Sequence, residues 1–230
     1  MATLMGVDGC VGGWIAAVDD GSAPPTCHRF ASIAAVMERA PTVVAIDVPI
    51  GLLDRGTRDC DAVARQLLGA RRNSVFTAPI RGMLKATSHR HACALRRGVE
   101  GKKVSIQAWG ILRKVREVDD ALRTHEEWRT CVREVHPEVC FYHLNGNRPL
   151  TWAKKRAEGR RERLELLQPD FGNAVNGALT ERRRLGCTAD DIIDAFVALW
   201  TARRIANGIA VRLPLAPPVD VVGIAMEMLA

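Results

Sequence analysis

No CxxC pair and no finger-type spacing joins the seven cysteines, Cys10, Cys27, Cys60, Cys93, Cys131, Cys140 and Cys187. An odd, scattered set excludes a disulfide framework and a zinc finger, and reads as reduced thiols of a cytoplasmic protein. No basic-then-apolar leader opens the sequence, so no secretory signal is expected. The longest largely apolar run, residues 195–202 between Asp194 and Arg203, is far short of the ~20 residues that a membrane span needs. An acidic tail and an internal repeat are also missing.

What is there is enough apolar material for one core: 230 residues, 47% of them hydrophobic, bury a large share of their surface without staples. A single domain over residues 1–230 is expected, carrying an insertion. The formal charge is +7, which favours an anionic partner, nucleic acid first. It is unevenly spread. Residues 1–70 carry net −3, residues 71–116 net +11, and residues 117–230 net −1. The middle segment holds Arg71, Arg72, Arg96, Arg97, Lys102 and Lys103, the candidate contacts to a phosphate backbone, with Trp109 able to stack a base.

The patterning predicts strands over residues 3–7, 14–18 and 27–30, with glycine-rich and Pro24-Pro25 turns between them. Residues 32–40 have helical spacing, and residues 43–48 are a short apolar run of the kind found in buried parallel strands. Helices are expected over residues 59–72, 89–97, 104–122, 154–168 and 188–207, with a strand over residues 132–136. The middle of the chain, about residues 71–125, reads as a basic helical insertion. Strands followed by alternating helices and strands give an α/β fold, a mixed sheet flanked by helices. Ligands of such sheets gather beyond the carboxyl ends of the parallel strands.

Carboxylates stand at those places. Asp8 follows the first strand, and Asp47 interrupts Val-Val-Ala-Ile-Asp-Val, where a charge needs compensation. In Thr188-Ala-Asp-Asp191-Ile-Ile-Asp194, Thr188 and Asp191 have capping-box spacing, which leaves Asp194 without a local reason. Asp191 and Asp194 share a helix face. Clustered carboxylates call for protons or cations, and an all-oxygen set suits Mg²⁺ or Mn²⁺. Two such ions can cleave a phosphodiester.

The motifs Gly6-Val7-Asp8-Gly9-Cys10, Ile46-Asp47-Val48-Pro49-Ile50-Gly51, Arg58-Asp59-Cys60-Asp61, Ser74-Val75-Phe76-Thr77-Ala78-Pro79, Glu134-Val135-His136-Pro137-Glu138 and Asp190-Asp191-Ile192-Ile193-Asp194 resemble the domain of unknown function 429 family. The resemblance spans roughly residues 5 to 210. It implies a ribonuclease H-like, five-stranded fold and a metal-dependent nuclease. Asp8, Asp47, Asp191 and Asp194 would be its metal-binding and catalytic acids, the DxxD pair being similar to that of Holliday junction resolvases. Glu138 would add a further acid facing the cleft. His136 is read either as an aid to proton transfer or as a hydrogen-bonded residue beside a strand end.

Two other readings compete. A non-catalytic nucleic-acid-binding protein would use the same charges, and a small phosphotransferase or ATPase would also carry an acid and glycines near its first strand. Length argues against the latter, because such enzymes duplicate this fold. A homodimer is a possible assembly, and no membrane partner is expected.

Overall fold

The computed structural model describes residues 2–22 and 24–230; of the second predicted turn, Ala23 lies outside the described residues. In chain order the main elements are β1 (Leu4–Cys10), β2 (Gly13–Asp19), β3 (Thr26–Phe30), α1 (Ile33–Met37), β4 (Val43–Ile46), α2 (Asp59–Leu68), α3 (His89–Glu100), α4 (Ile106–Thr124), β5 (Val132–Glu134), α5 (Pro137–Leu144), α6 (Ala157–Phe171), α7 (Ala174–Leu185) and α8 (Ala189–Ala206). Two-residue strands, β6 (Arg212–Leu213) and β7 (Met228–Leu229), follow. Among the described residues no helix is long and apolar enough to cross a membrane.

Two compact units divide the chain. The first comprises residues 1–47, 130–211 and 229–230, and the second residues 48–129 and 212–228. The second therefore begins directly after Asp47, well before the basic stretch.

The first unit is built on a five-stranded sheet in the order β3-β2-β1-β4-β5. β2 runs antiparallel to both β1 and β3, whereas β4 is parallel to β1 and β5 parallel to β4. This is the ribonuclease H-like arrangement. β4 is buried on both faces, which explains its unbroken Val-Val-Ala-Ile. The register sets Gly6, Asp8 and Cys10 on one face with Ile15, Ala17 and Ala45. That face receives α8, whose Ile192, Ala195, Phe196, Ala198 and Leu199 join the same core cluster. Small residues let the helix come close. A Cβ on Gly6 would lie 2.0 Å from the Leu199 backbone nitrogen. α8 is held at its other end by an ion pair between Arg203 and Asp19.

In the second unit α3 and α4 enclose a small core of Ile80, Met83, Ala86, Ala92, Val104, Ala108 and Leu112. Buried ion pairs brace it. Arg58 pairs with Asp61 and donates to the Ile50 carbonyl at 2.9 Å, while Arg81 bridges Asp119 and Asp220.

Candidate metal centre

β1 and β4 bring the first two carboxylates together through their register. The parallel pairing runs from Leu4↔Val43 to Val7↔Ile46, and the Asp47 N–H donates to the Val7 carbonyl at 2.9 Å. Asp8 and Asp47 are thus neighbours at the carboxyl end of that pairing, on the face that receives α8. β1 itself continues to Cys10, because β2 still pairs with residues 8–10 after β4 has ended. The turn expected from residue 8 onward is confined to Val11 and Gly12, the latter with φ of 71°.

α8 supplies the third group. Asp194 is buried and its Oδ2 lies 3.2 Å from Lys154 Nζ. Asp191 closes the capping box: its carboxylate accepts from Thr188 N–H at 2.8 Å, while Thr188 Oγ1 accepts from Asp191 N–H at 3.2 Å. Its negative charge still reaches Asp8.

Electrostatics show that these acids form one cluster. Burial pushes Asp8 well above the usual carboxylate range, reinforced by the charges of Asp47, Asp194 and Asp191 and opposed by the Gly9 N–H. Burial also raises Asp47, partly offset by His136 and Lys154. Asp194 rises to about 7, through burial and the charge of Asp47, despite Lys154 and Arg163. Lys154 shifts upward in turn, held as an ammonium by Asp194 first and then by Asp47 and Asp8. The cluster is therefore a concentration of carboxylates, Asp194 buried and Asp8 and Asp47 half-buried, with the Lys154 ammonium beside it.

The other predicted residues have defined places. His136 caps α5, its Nδ1 accepting from the Glu138 N–H at 3.2 Å, and it also lies within the field of Asp47. That is the strand-end reading of this histidine, and it fixes a neutral ring as the Nε2–H tautomer. Glu138 is buried in an ion pair with Arg163, a side chain only 2% exposed. Its carboxylate is thereby committed to a structural partner.

The predicted phosphate contacts all belong to the second unit. Arg72, Arg97, Lys102 and Lys103 are exposed, and Arg71 is half-buried in a 3₁₀ turn, Gly69–Ser74. Arg96 is buried and paired with Glu100 at 2.8 Å. Trp109 packs against the small core beside His89, rather than standing in solvent. His89, read from the sequence as solvated, bonds the Val104 carbonyl at 2.9 Å.

Lys154 and Arg163 escaped the sequence reading. Their partners lie 40 and 25 residues away, and neither sits in a recognisable motif.

The pattern of the family described as Protein of unknown function (DUF429) matches residues 6–219. The chain belongs to the DUF429 family. No curated protein and no solved structure matches it. The DUF429 match covers all four clustered aspartates as well as Lys154, His136 and Glu138.

Proposed function

We propose that the chain is a divalent-metal-dependent nuclease that hydrolyses phosphodiester bonds at the Asp8–Asp47–Asp194 cluster. The observation that carries this reading is three carboxylates from β1, β4 and α8 within one another's field, on the face where strand ends and helix meet. Three ionised carboxylates in one half-buried place are unfavourable unless a cation or protons answer them. The donor set is entirely carboxylate oxygen, which suits the hard ions Mg²⁺ and Mn²⁺ and disfavours soft metals. Asp8, Asp47 and Asp194 would hold the ion, with Asp191 adding charge from the helix cap.

Bound there, Mg²⁺ or Mn²⁺ supplies Lewis acidity and a water of lowered pKa. The chain's own residues do the rest. Lys154 keeps Asp194 oriented by its ion pair and presents an ammonium at the cluster's edge. His136, held through Nδ1 by the Glu138 N–H, stands within the field of Asp47. The Glu138–Arg163 pair fixes the first turn of α5, and with it His136.

A reducing, cytoplasmic setting accords with this reading. All seven cysteines are free thiols, and burial pushes Cys27 and Cys140 up to about 12, which keeps them unreactive.

The test is a cleavage screen of single-stranded, duplex and branched DNA and RNA in Mg²⁺ or Mn²⁺, wild type against Asp47→Asn. Groups that merely orient metal ligands are worth 10–100-fold, so losing a ligand should cost on the order of 100-fold or more. Cleavage that survives the substitution, or none by wild type on any substrate, would sink the assignment.

A further inference from the structure

The basic surface expected from the sequence lies at residues 71–116. A different one lies in the same unit as the carboxylates. Residues 152–161 read Trp-Ala-Lys-Lys-Arg-Ala-Glu-Gly-Arg-Arg, and all except Gly159 are exposed. Two contacts tie this segment to α8: Lys154 to Asp194 at 3.2 Å, and Arg160 to Asp190 at 3.7 Å. It therefore runs along the rim of the carboxylate cluster.

Residues 152–156 form a built loop rather than a loose one, and residues 157–161 are the opening of α6, which starts three residues later than the helix expected from residue 154. Both oxygens of Glu162 accept backbone N–H groups, from Thr151 at 2.8 Å and Trp152 at 3.0 Å. The Arg156 N–H donates to the Ala153 carbonyl at 2.9 Å, closing a turn. α6 lies so close that a Cβ on Gly159 would stand 2.2 Å from the Ala153 oxygen. These restraints hold the backbone while Lys155 and Arg156 project outward. Trp152 is 40% exposed, an unusual place for the largest apolar side chain, and the Arg156 guanidinium lies 5.7 Å from its ring centroid.

We infer that residues 152–161 are the docking surface for a single-stranded nucleic acid whose backbone leads into the carboxylate cluster. Cations in a row neutralise successive phosphates, and an exposed aromatic ring beside them offers a base a stacking face. A duplex keeps its bases stacked inside and cannot use that ring. This inference rests on the nuclease reading for its choice of partner, but binding can be measured without cleavage.

The experiment is fluorescence anisotropy of the full chain in EDTA with a short labelled oligonucleotide, as DNA and as RNA, single-stranded and duplex. Lys155→Glu/Arg156→Glu should weaken single-strand binding at least tenfold. It should also flatten the salt dependence by about 1.4 in log–log slope, two contacts at about 0.7 each. Trp152→Ala should lose roughly fivefold or more on single strands and nothing on duplex. Asp47→Asn should bind as tightly as wild type or tighter, since it removes a charge that repels phosphate.

Unchanged binding by the Lys155/Arg156 variant overturns the inference. So does a loss found only with Lys102→Glu/Lys103→Glu, or a preference for phosphatidylglycerol vesicles over oligonucleotide. If binding follows the expected pattern but wild type cleaves nothing, the surface stands and the hydrolytic reading alone fails.

Discussion

Replacing Gly6 with alanine places a methyl group where β1 and α8 touch. Its Cβ would lie 2.0 Å from Leu199 N, 2.2 Å from Ala195 O and 2.6 Å from Ala198 C. All three are backbone atoms of consecutive turns of one helix, so no side-chain rotation relieves the overlap. Strand and helix must separate by about 1.4 Å before the closest contact reaches an ordinary 3.4 Å. Overpacking of a core costs about 1–3 kcal/mol, and rigid backbone on both sides puts this case near the top. For a chain of this length each kcal/mol moves the melting temperature by about 2–4 °C, so a fall of roughly 6–12 °C is expected. Gly110→Ala in α4, with nothing within 4 Å of its added Cβ, is the control. It should gain about 0.5–1 kcal/mol, because alanine is the better helix former. Calorimetry in EDTA measures both. Because Gly6 is two residues from Asp8, and Ala195 adjoins Asp194, the same separation should weaken stabilisation by Mn²⁺. A Gly6→Ala protein melting within 2 °C of wild type would refute the close strand–helix contact on which the carboxylate geometry depends.

Three other outcomes are expected. Asp194→Asn should stabilise the metal-free protein above pH 7 by at most about 4 kcal/mol, while the gain vanishes near pH 4; urea unfolding across pH measures it. The sign follows from the direction of the shift. An acid raised from 3.8 to about 7 binds its proton more tightly when folded, so its ionisation erodes stability as pH climbs between those values. Mn²⁺ at about 100 times its dissociation constant should add about 2.7 kcal/mol to wild type, seen as a higher melting temperature, and nothing to Asp47→Asn. Arg163→Met should cost about 3–5 kcal/mol, because it strands the buried Glu138 charge, whereas adding Glu138→Gln should recover a large part of that loss in a denaturant titration.

The sheet and its acids were legible because they rest on local signals. An apolar run broken by Asp47, a strand ending near Asp8 and a Thr188–Asp191 capping box each declare themselves within a few residues. The capping box explains Asp191 and correctly leaves Asp194 to be explained by something distant. What could not be read are partnerships across the chain. α5 is buried on several sides and shows no clean periodicity, and α7 opens on Ala-Val-Asn-Gly before its arginines, so neither was predicted. Charge counting has the same blind spot. It tallies arginines but not their partners, and in the basic stretch Arg81 and Arg96 are held by carboxylates. Arg116 donates to the Leu84 and Ala86 carbonyls. Residues 154–168 read only as a charged helix, and nothing local showed that Lys154 and Arg160 reach α8.

The spacing of the cluster along the chain sets an order of events during synthesis. Asp8 and Asp47 emerge within 39 residues of one another, but the ammonium that offsets them, Lys154, is added 107 residues after Asp47, and Asp194 is added 40 later still. At about 5–20 residues per second, Lys154 arrives roughly 5–20 s after the two aspartates. For that interval both carboxylates face water, because α8, which covers them, has not been made, and pairing β1 with β4 costs little. The electrostatic cost therefore falls on the last step, when α8 closes over the two acids, and by then Lys154 has been made and can offset it.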